Sequence, residues 1–536
     1  MEQAEANEAL NDKLNRRFDV RLALFLILIL GGALRLTDVG RDVWFDEAAS
    51  LISARGADIV PKIVCNGPEF TNEMFTQDGG WRGVLVSISH LERTPPLYFL
   101  LLRVWIKLFG EGNVIVRLPS LVFGIATILA VFFLGRIVFS ETVGLAAAGI
   151  LAVVPLHIQY SQEARAYALA CFLVTLASLV FWSAAQTVGQ PNERKYWVFY
   201  FSLAAAGLYT HYSTAGVFLA HGVFALLQPR ARRWVLVKRL ALVATALVIV
   251  LLPWLLSSYV KSQSALLQLE PKVFWTPETF VRVAVLVFYF FAGYLPDVKF
   301  MSGFGLVLVV LYGLGILAFS LSPLRKTKGA LFIVLLLVVP VVFMVGVSAA
   351  LQRSWAIGHP KFILGAVAGL SLLLGAAVVT SRQRALSLVI VVMAGAVSLY
   401  FQARWHRANT ASDRQSVIIW YYGNVSSAAA RVDQRIRPNE LILFDDAWLP
   451  IVWNAYERTR APQMLMGWDG FYLNPLMDFE SRWQQVEQTR LGIYLVRRAE
   501  GPPSDVLRRL ESHYRLAEST RIGRLEIRYY VKPSPT

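Results

Sequence analysis

Charge is scarce in this chain. Only 16% of its 536 residues are Asp, Glu, Lys or Arg, against about a quarter in soluble globular proteins, which excludes an ordinary soluble protein. Cysteine is scarcer still: Cys65 and Cys171 stand alone, one in a polar loop and one inside an apolar run, so neither a disulfide framework nor redox chemistry is the theme. There is no Walker A loop, no H-E-x-x-H pair, no metal-spaced cysteine set and no D-x-D nucleotide-sugar signature. A soluble nucleotide is therefore not the expected donor. What is present is apolar, with 56% hydrophobic residues and a mean hydropathy of +0.50. A polytopic α-helical membrane protein follows. The net charge of +16, from 52 basic and 36 acidic residues, fits nucleic acid or basic cytoplasmic loops, and the placement of the bases decides between them.

A bilayer-spanning helix needs about 20 mostly apolar residues. Runs of that kind predict eleven transmembrane helices, near 22–37, 118–138, 143–158, 168–185, 197–211, 214–228, 238–256, 302–320, 330–349, 362–379 and 385–402. The stretch 280–295, which holds Arg282, reads as in-plane or re-entrant. With the N-terminus inside, every inner segment is basic: Lys13 to Arg21, Arg136, Arg194 with Lys195, Arg230 to Arg239, Arg325 to Lys328, and Arg382 with Arg384. That pattern excludes nucleic acid as a partner and places 38–117 and 403–536 on the outer face. The first run lacks a small-residue cleavage motif and is expected to stay as an anchor.

Three parts result: a cytoplasmic N-terminal tail over 1–21, amphipathic or disordered; a transmembrane body over 22–402 that includes the first outer loop 38–117; and an outer domain over 403–536. In the last part charged residues and proline return and apolar runs shorten. Strands are predicted at 440–446, 491–496 and 525–531 and helices at 447–458 and 503–513, a small α/β layer.

Long ordered loops tend to carry function. The first loop opens with Asp46 and Glu47, adjacent carboxylates that point about 100° apart on a helix and so take different roles. Either one removes a proton from a hydroxyl while the other orients a partner or a metal, or both are solvated acids beside Trp44. Further along stand Arg93, Thr94, Pro95, Pro96 and Tyr98. An amphipathic stretch with Arg103, Trp105 and Lys107 follows, either an interfacial helix that meets lipid phosphates or a structural anchor. At the outer ends of later spans lie Glu163, Arg165 and Tyr167, then His211 and Tyr212, then His359 and Lys361. Ionisable groups at membrane depth mark functional sites by default. Under the eleven-span topology these acids, cations and polar aromatics converge on one outer interface, where an amphiphile can keep its tail in lipid while its phosphate meets Arg165 and Lys361.

The Asp46-Glu47 pair, the T-P-P-L-Y-F-L-L segment from Thr94, the R-L-P-S opening at Arg117, the S-Q-E-A-R-A-Y hairpin at Ser161 and the Y-T-H-Y turn at Tyr209 together resemble the GT-C glycosyltransferases. Within these, the resemblance is to the bacterial branch akin to protein O-mannosyltransferases and the lipid A aminoarabinose transferase. It covers roughly 22–402, and the α/β tail is similar to the periplasmic domain many bacterial members carry. The resemblance implies transfer of a sugar from a polyprenyl-phosphate donor to an envelope acceptor, whether protein, lipid A, another glycolipid or a polysaccharide, with inversion at the anomeric carbon. Asp46 is then the base, Glu47 supports it or helps to hold a divalent ion, and Arg93, Tyr98, Glu163, Arg165, Tyr167, His211, Tyr212, His359 and Lys361 contact substrate. Where relatives often carry Lys or His directly before the first proline, this chain has Thr94 preceded by Arg93. Where they often carry Arg-Tyr, it has Lys361-Phe362, which keeps the charge and loses the guanidinium fork. A transporter or flippase for a lipid-linked sugar, or an inactive envelope scaffold, is the alternative. No inverted repeat with broken helices in matching halves supports the transporter.

Overall fold

The structure, a computed structural model, describes residues 2–37, 39–59, 69–92, 94–262, 276–292, 310–352, 359–380, 424–446, 449–466, 479–489, 492–499 and 504–533, with a few positions between 389 and 400. Cys65, Arg93, Arg353, most of the expected span 385–402 and the first half of 302–320 lie outside the described residues. The chain forms two compact units.

The first unit draws on Met1–Val39, Arg117–Pro253 and Lys272–Ala403. Among the described residues, five helices are long and apolar enough to cross a membrane: Ile115–Val138, Tyr167–Gln186, Arg230–Ser257, Lys328–Ala350 and Pro360–Thr380. Other expected runs also fall on helices, namely Glu2–Leu36, Glu193–Thr210 and Ala215–Leu226. The tail is not separate from the anchor, because the helix begins at Glu2 and continues through it. The segment expected to span at 143–158 is not one straight helix. It breaks by 65° between Glu141–Val153 and Pro155–Ser161, since proline has no N–H to bond the carbonyl four residues earlier and its ring crowds that carbonyl.

Small residues let these helices approach. A Cβ on Gly144 would lie 2.4 Å from the Phe132 carbonyl oxygen and one on Gly135 would lie 2.6 Å from Gly144 Cα, so the crossing of Leu118–Val138 with Glu141–Val153 requires glycine on both sides. Inside the unit, His221 is a satisfied core histidine. It meets Tyr200 Oη at 2.9 Å and Ser178 Oγ at 3.0 Å, and it stacks on Phe181 with centroids 4.5 Å apart. Outward, Leu242, Val248 and Ile249 on the Arg230–Ser262 helix are exposed, as lipid-facing positions are.

The second unit joins Gly40–Val116 and Trp254–Pro271 to Arg404–Thr536. Five strands, β1 Leu441–Phe444, β2 Gln463–Leu465, β3 Gly492–Arg498, β4 Arg515–Ile522 and β5 Leu525–Val531, form one sheet in the order β2-β1-β3-β5-β4. Strand β1 is parallel to β2 and β3, while β5 is antiparallel to β3 and β4. The expected helix over 447–458 is shorter, Leu449–Trp453, and helix Asp505–His513 is capped by Ser504, whose Oγ accepts from Leu507 N. At the end of β1, Asp445 accepts from Arg497 Nε at 3.1 Å and Ser504 Oγ at 2.9 Å, tying β1 to β3 and to that helix.

The first loop is built into this unit. Phe70 and Gln463 exchange backbone hydrogen bonds of 2.9 and 2.8 Å, Ser426 N donates to Asp42, and Tyr456 Oη accepts from Val43 N. Asn72 donates to the Glu457 carbonyl oxygen beside a buried polar set in which Asn454 and Gln463 bond each other through both amides.

Candidate active site

In the second unit, Asp46 and Glu47 open the helix Phe45–Arg55. Glu47, the third helical residue, is fully buried, and its Oε2 accepts from Trp44 N at 3.3 Å, satisfying an N–H that the helix start leaves without an intrahelical partner. Asp46 is half-buried, its carbonyl bonded by Ser50 Oγ at 3.0 Å. Glu47 thus builds the helix end that carries Asp46. Tyr98 lies fully buried in helix Leu97–Phe109, and Arg93 is outside the described residues. The basic stretch that follows holds the loop together. Buried Arg103 donates to the carbonyls of Ala54 and Arg55 at 3.0 and 2.9 Å and to Asp78 at 2.5 Å, and Lys107 also bonds Asp78. Those two donors hold the Asp78 carboxyl well below the usual carboxylate range.

In the first unit, the hairpin 162–166 is fixed by a residue that carried no motif. Arg35 is fully buried. Its Nη2 donates to the Leu151 carbonyl, the one that Pro155 leaves without its helical donor, at 3.3 Å, and Nη1 donates to Ala152 O at 3.1 Å. The same guanidinium reaches Gly31 O, Ser161 Oγ and, at 2.6 Å, His157 Nδ1. A guanidinium can only donate, so Nδ1 accepts and the proton of neutral His157 sits on Nε2. Gly124 makes room for this, since a Cβ there would stand 2.3 Å from Ser161 Oγ. Gln162 then ties the hairpin to the carbonyls of Leu34 and Thr37 at 3.2 and 2.6 Å. An arginine inside the first apolar run and a proline inside the third were visible in the sequence. Their pairing was not.

Held this way, Arg165 and Glu163 are buried, and the Arg165 guanidinium faces the Tyr167 ring at 5.8 Å. Lys361 Nζ comes to the same ring at 5.4 Å and to Phe362 at 5.6 Å. Tyr167 also contacts His211 at 5.5 Å, and His211 stacks on Phe362 at 5.5 Å. His211 Nδ1 accepts from Ser213 N at 3.2 Å, which leaves the proton of the neutral ring on Nε2. His359 packs edge-on to Phe362 at 6.3 Å, and Tyr212, partly exposed, starts the following turn. Thus Arg165, Tyr167, His211, His359 and Lys361 gather in one aromatic-backed cluster carrying two cations. The crevice beneath it, lined by Tyr167, Ser213, Thr214 and Lys361, holds only about 10 Å³, room for no more than about one water. A phosphate would meet the cluster from outside.

Among the described residues no three His, Cys, Asp or Glu side chains gather as metal ligands, and Glu47, the expected helper, already caps its helix.

Against known proteins, residues 93–256, less than half of the chain, match the family described as dolichyl-phosphate-mannose-protein mannosyltransferase. The crystal structure of ArnT from Cupriavidus metallidurans bound to undecaprenyl phosphate is similar with a TM-score of 0.60 at 13% identity, over 95% of this chain and 97% of that one. This chain carries the GT-C fold. The apo ArnT structure from the same organism agrees, with a TM-score of 0.60 at 14% identity over 96% and 98% of the two chains. No individual curated protein matches the sequence significantly. The matched segment of this GT-C membrane protein contains Tyr98, Glu163, Arg165, Tyr167, His211 and Tyr212 and excludes Asp46, Glu47, His359 and Lys361.

Proposed function

We propose that this GT-C protein transfers a sugar from a polyprenyl-phosphate carrier to a hydroxyl of an envelope acceptor. The observation that carries the reading is the convergence of Arg165 and Lys361 on the ring of one buried tyrosine, Tyr167, backed by His211 and Phe362. Two cations beside a single ring bring positive charge to the outer end of an apolar bundle, which suits a lipid-borne phosphate. ArnT, whose fold it shares, is described with undecaprenyl phosphate bound, and the matched family takes its name from a dolichyl-phosphate donor.

The chemistry is a displacement at the anomeric carbon. The acceptor oxygen forms the new glycosidic bond as the bond to the carrier phosphate breaks, with inversion. Negative charge grows on the leaving phosphate, where Arg165 and Lys361 stabilise it. The acceptor proton passes to Asp46. Glu47 is assigned a positioning role through the helix end, Tyr98 and Glu163 supporting roles, and Tyr212 and His359 the rim of the donor site. The eleven-span arrangement with N-terminus inside and the 403–536 domain outside, in a bacterial inner membrane, belongs to the same reading, because the basic residues fall on alternate loops.

The test offers the purified full chain in nanodiscs a panel of labelled polyprenyl-phosphate sugars with crude envelope acceptors, beside Asp46→Asn. Sugar moving into acceptor, or slow donor hydrolysis, that disappears in Asp46→Asn is the expected result. Equal turnover by Asp46→Asn removes the base assignment, and no consumption of any donor favours the transporter or scaffold.

A further inference from the structure

The helices Glu193–Thr210 and Arg230–Ser262 are pinned together at two levels. Near their starts Arg239 Nε bonds Glu193 Oε1 at 2.8 Å, and farther along Tyr209 Oη donates to the Val250 carbonyl at 2.6 Å. Sixteen residues separate 193 from 209 and eleven separate 239 from 250 (209 − 193 and 250 − 239), so the helices run in the same direction, with a gap between the pins. The gap is a groove of about 520 Å³. At its first level it is polar, with Gln190, Glu193, Arg194 and Arg239; one and two turns on it is lined by Trp197, Val198, Phe201, Leu242, Val243 and Ala246. The apolar wall is open to the outside: Val198 is 56% exposed and Leu242 65%. Only 11% of the apolar window of Arg230–Ser257 is covered by protein, so lipid must cover the rest.

We infer that this groove is a binding site for an anionic phospholipid of the membrane, with its phosphate at Arg194 and Arg239 and an acyl chain laid between Phe201 and Leu242. Charge decides the headgroup. Glu193 is already engaged by Gly189 N at 2.8 Å and by Arg239, Arg194 is exposed with no ion pair among the described residues, and the neighbouring Arg230, Arg232, Arg233 and Lys238 share its sign. Geometry decides the tail, because the apolar lining continues from the cationic level in the direction a lipid chain enters a bilayer. The site lies toward the opposite end of these helices from His211, and it stands independently of the sugar-transfer reading.

Native mass spectrometry of the full chain in detergent, titrated with phosphatidylglycerol or with phosphatidylethanolamine of the same acyl chains, tests it. The wild type is expected to retain phosphatidylglycerol about fivefold better, the effect of one extra headgroup charge met by arginine. Arg194→Gln, an exposed change that leaves the Arg239 ion pair intact, should bring the ratio toward one, and Leu242→Trp, which fills the groove, should reduce retention of both lipids. Excess inorganic phosphate should leave the adduct in place. Equal retention of the two lipids by the wild type, an unchanged ratio in both Arg194→Gln and Arg239→Gln, undiminished retention by Leu242→Trp, or displacement by phosphate alone would each overturn the proposal.

Discussion

Arg35 in the first unit and Arg103 in the second are both almost wholly buried, and the two are satisfied in different ways. In the apolar bundle Arg35 meets only neutral acceptors: three backbone carbonyls, a serine hydroxyl and a histidine ring nitrogen. In the second unit Arg103 bonds two carbonyls at the end of helix Phe45–Arg55 and then the carboxylate of Asp78, a side chain 52% exposed. Both replace missing backbone N–H donors, one at a proline break and one at a helix C-terminus. The bundle offers no water to a carbonyl that loses its donor, whereas the Asp78 side chain beside Arg103 is open to solvent. Arg35 and Arg103 are thus structural devices, whereas Arg165 and Lys361 are set against the Tyr167 ring.

The largest effect should come from Arg35→Met. The Ala152 carbonyl and the His157 ring lose the Arg35 donor in an apolar setting, so thermal unfolding in detergent should show a loss on the order of 3 kcal/mol or more. Gly124→Ala, which sets a Cβ 2.3 Å from Ser161 Oγ, should cost about 1–3 kcal/mol in the same assay because it pushes on the Arg35 side of the hairpin. Arg103→Met should be milder, about 1–2 kcal/mol, since solvent can reach Asp78 and the exposed end of the helix. Equal losses for Arg35→Met and Arg103→Met would break the comparison.

The smallest effect concerns pH. Burial, aided by the nearby Asp433 charge, pushes the Glu457 carboxyl from an ordinary 4.5 up to about 7, against the lowering effect of hydrogen bonds from Thr459 and Asn72. An acid whose folded pKa lies above its unfolded value binds more protons when folded. The contribution of Glu457 to the stability of the second unit should therefore be full below about pH 4.5 and be lost as pH rises to about 7. Glu457→Gln should flatten that dependence, measured by melting temperature between pH 5 and 8.

The apolar runs and three of the five strands, β1, β3 and β5, were legible because apolar composition and bounded length carry them. Strand β2 has only three residues, Gln463–Leu465, too short for a period to show. Strand β4, Arg515–Ile522, is an edge strand with mostly exposed positions, so it offers no apolar alternation. The joining of the first loop to the outer sheet rests on single backbone and side-chain bonds between distant residues, such as Phe70 with Gln463, and no local pattern encodes those. In the candidate site, residue types and membrane depth pointed to Arg165, Tyr167, His211 and Lys361, which the fold gathers. Local sequence could not reveal that Glu47 is consumed as a helix cap, because the same Asp-Glu pair serves as well for chemistry as for capping.

The most direct test of the account is the affinity of the purified full chain for a polyprenyl phosphate without its sugar, compared with Arg165→Gln, Lys361→Gln and Tyr167→Phe. If Arg165 and Lys361 hold the phosphate, each loss should weaken binding about tenfold or more, as for a charge-assisted hydrogen bond, the double variant should lose more, and Tyr167→Phe, which keeps the ring face, should bind almost as the wild type does. Affinity unchanged in both cation variants would contradict the account.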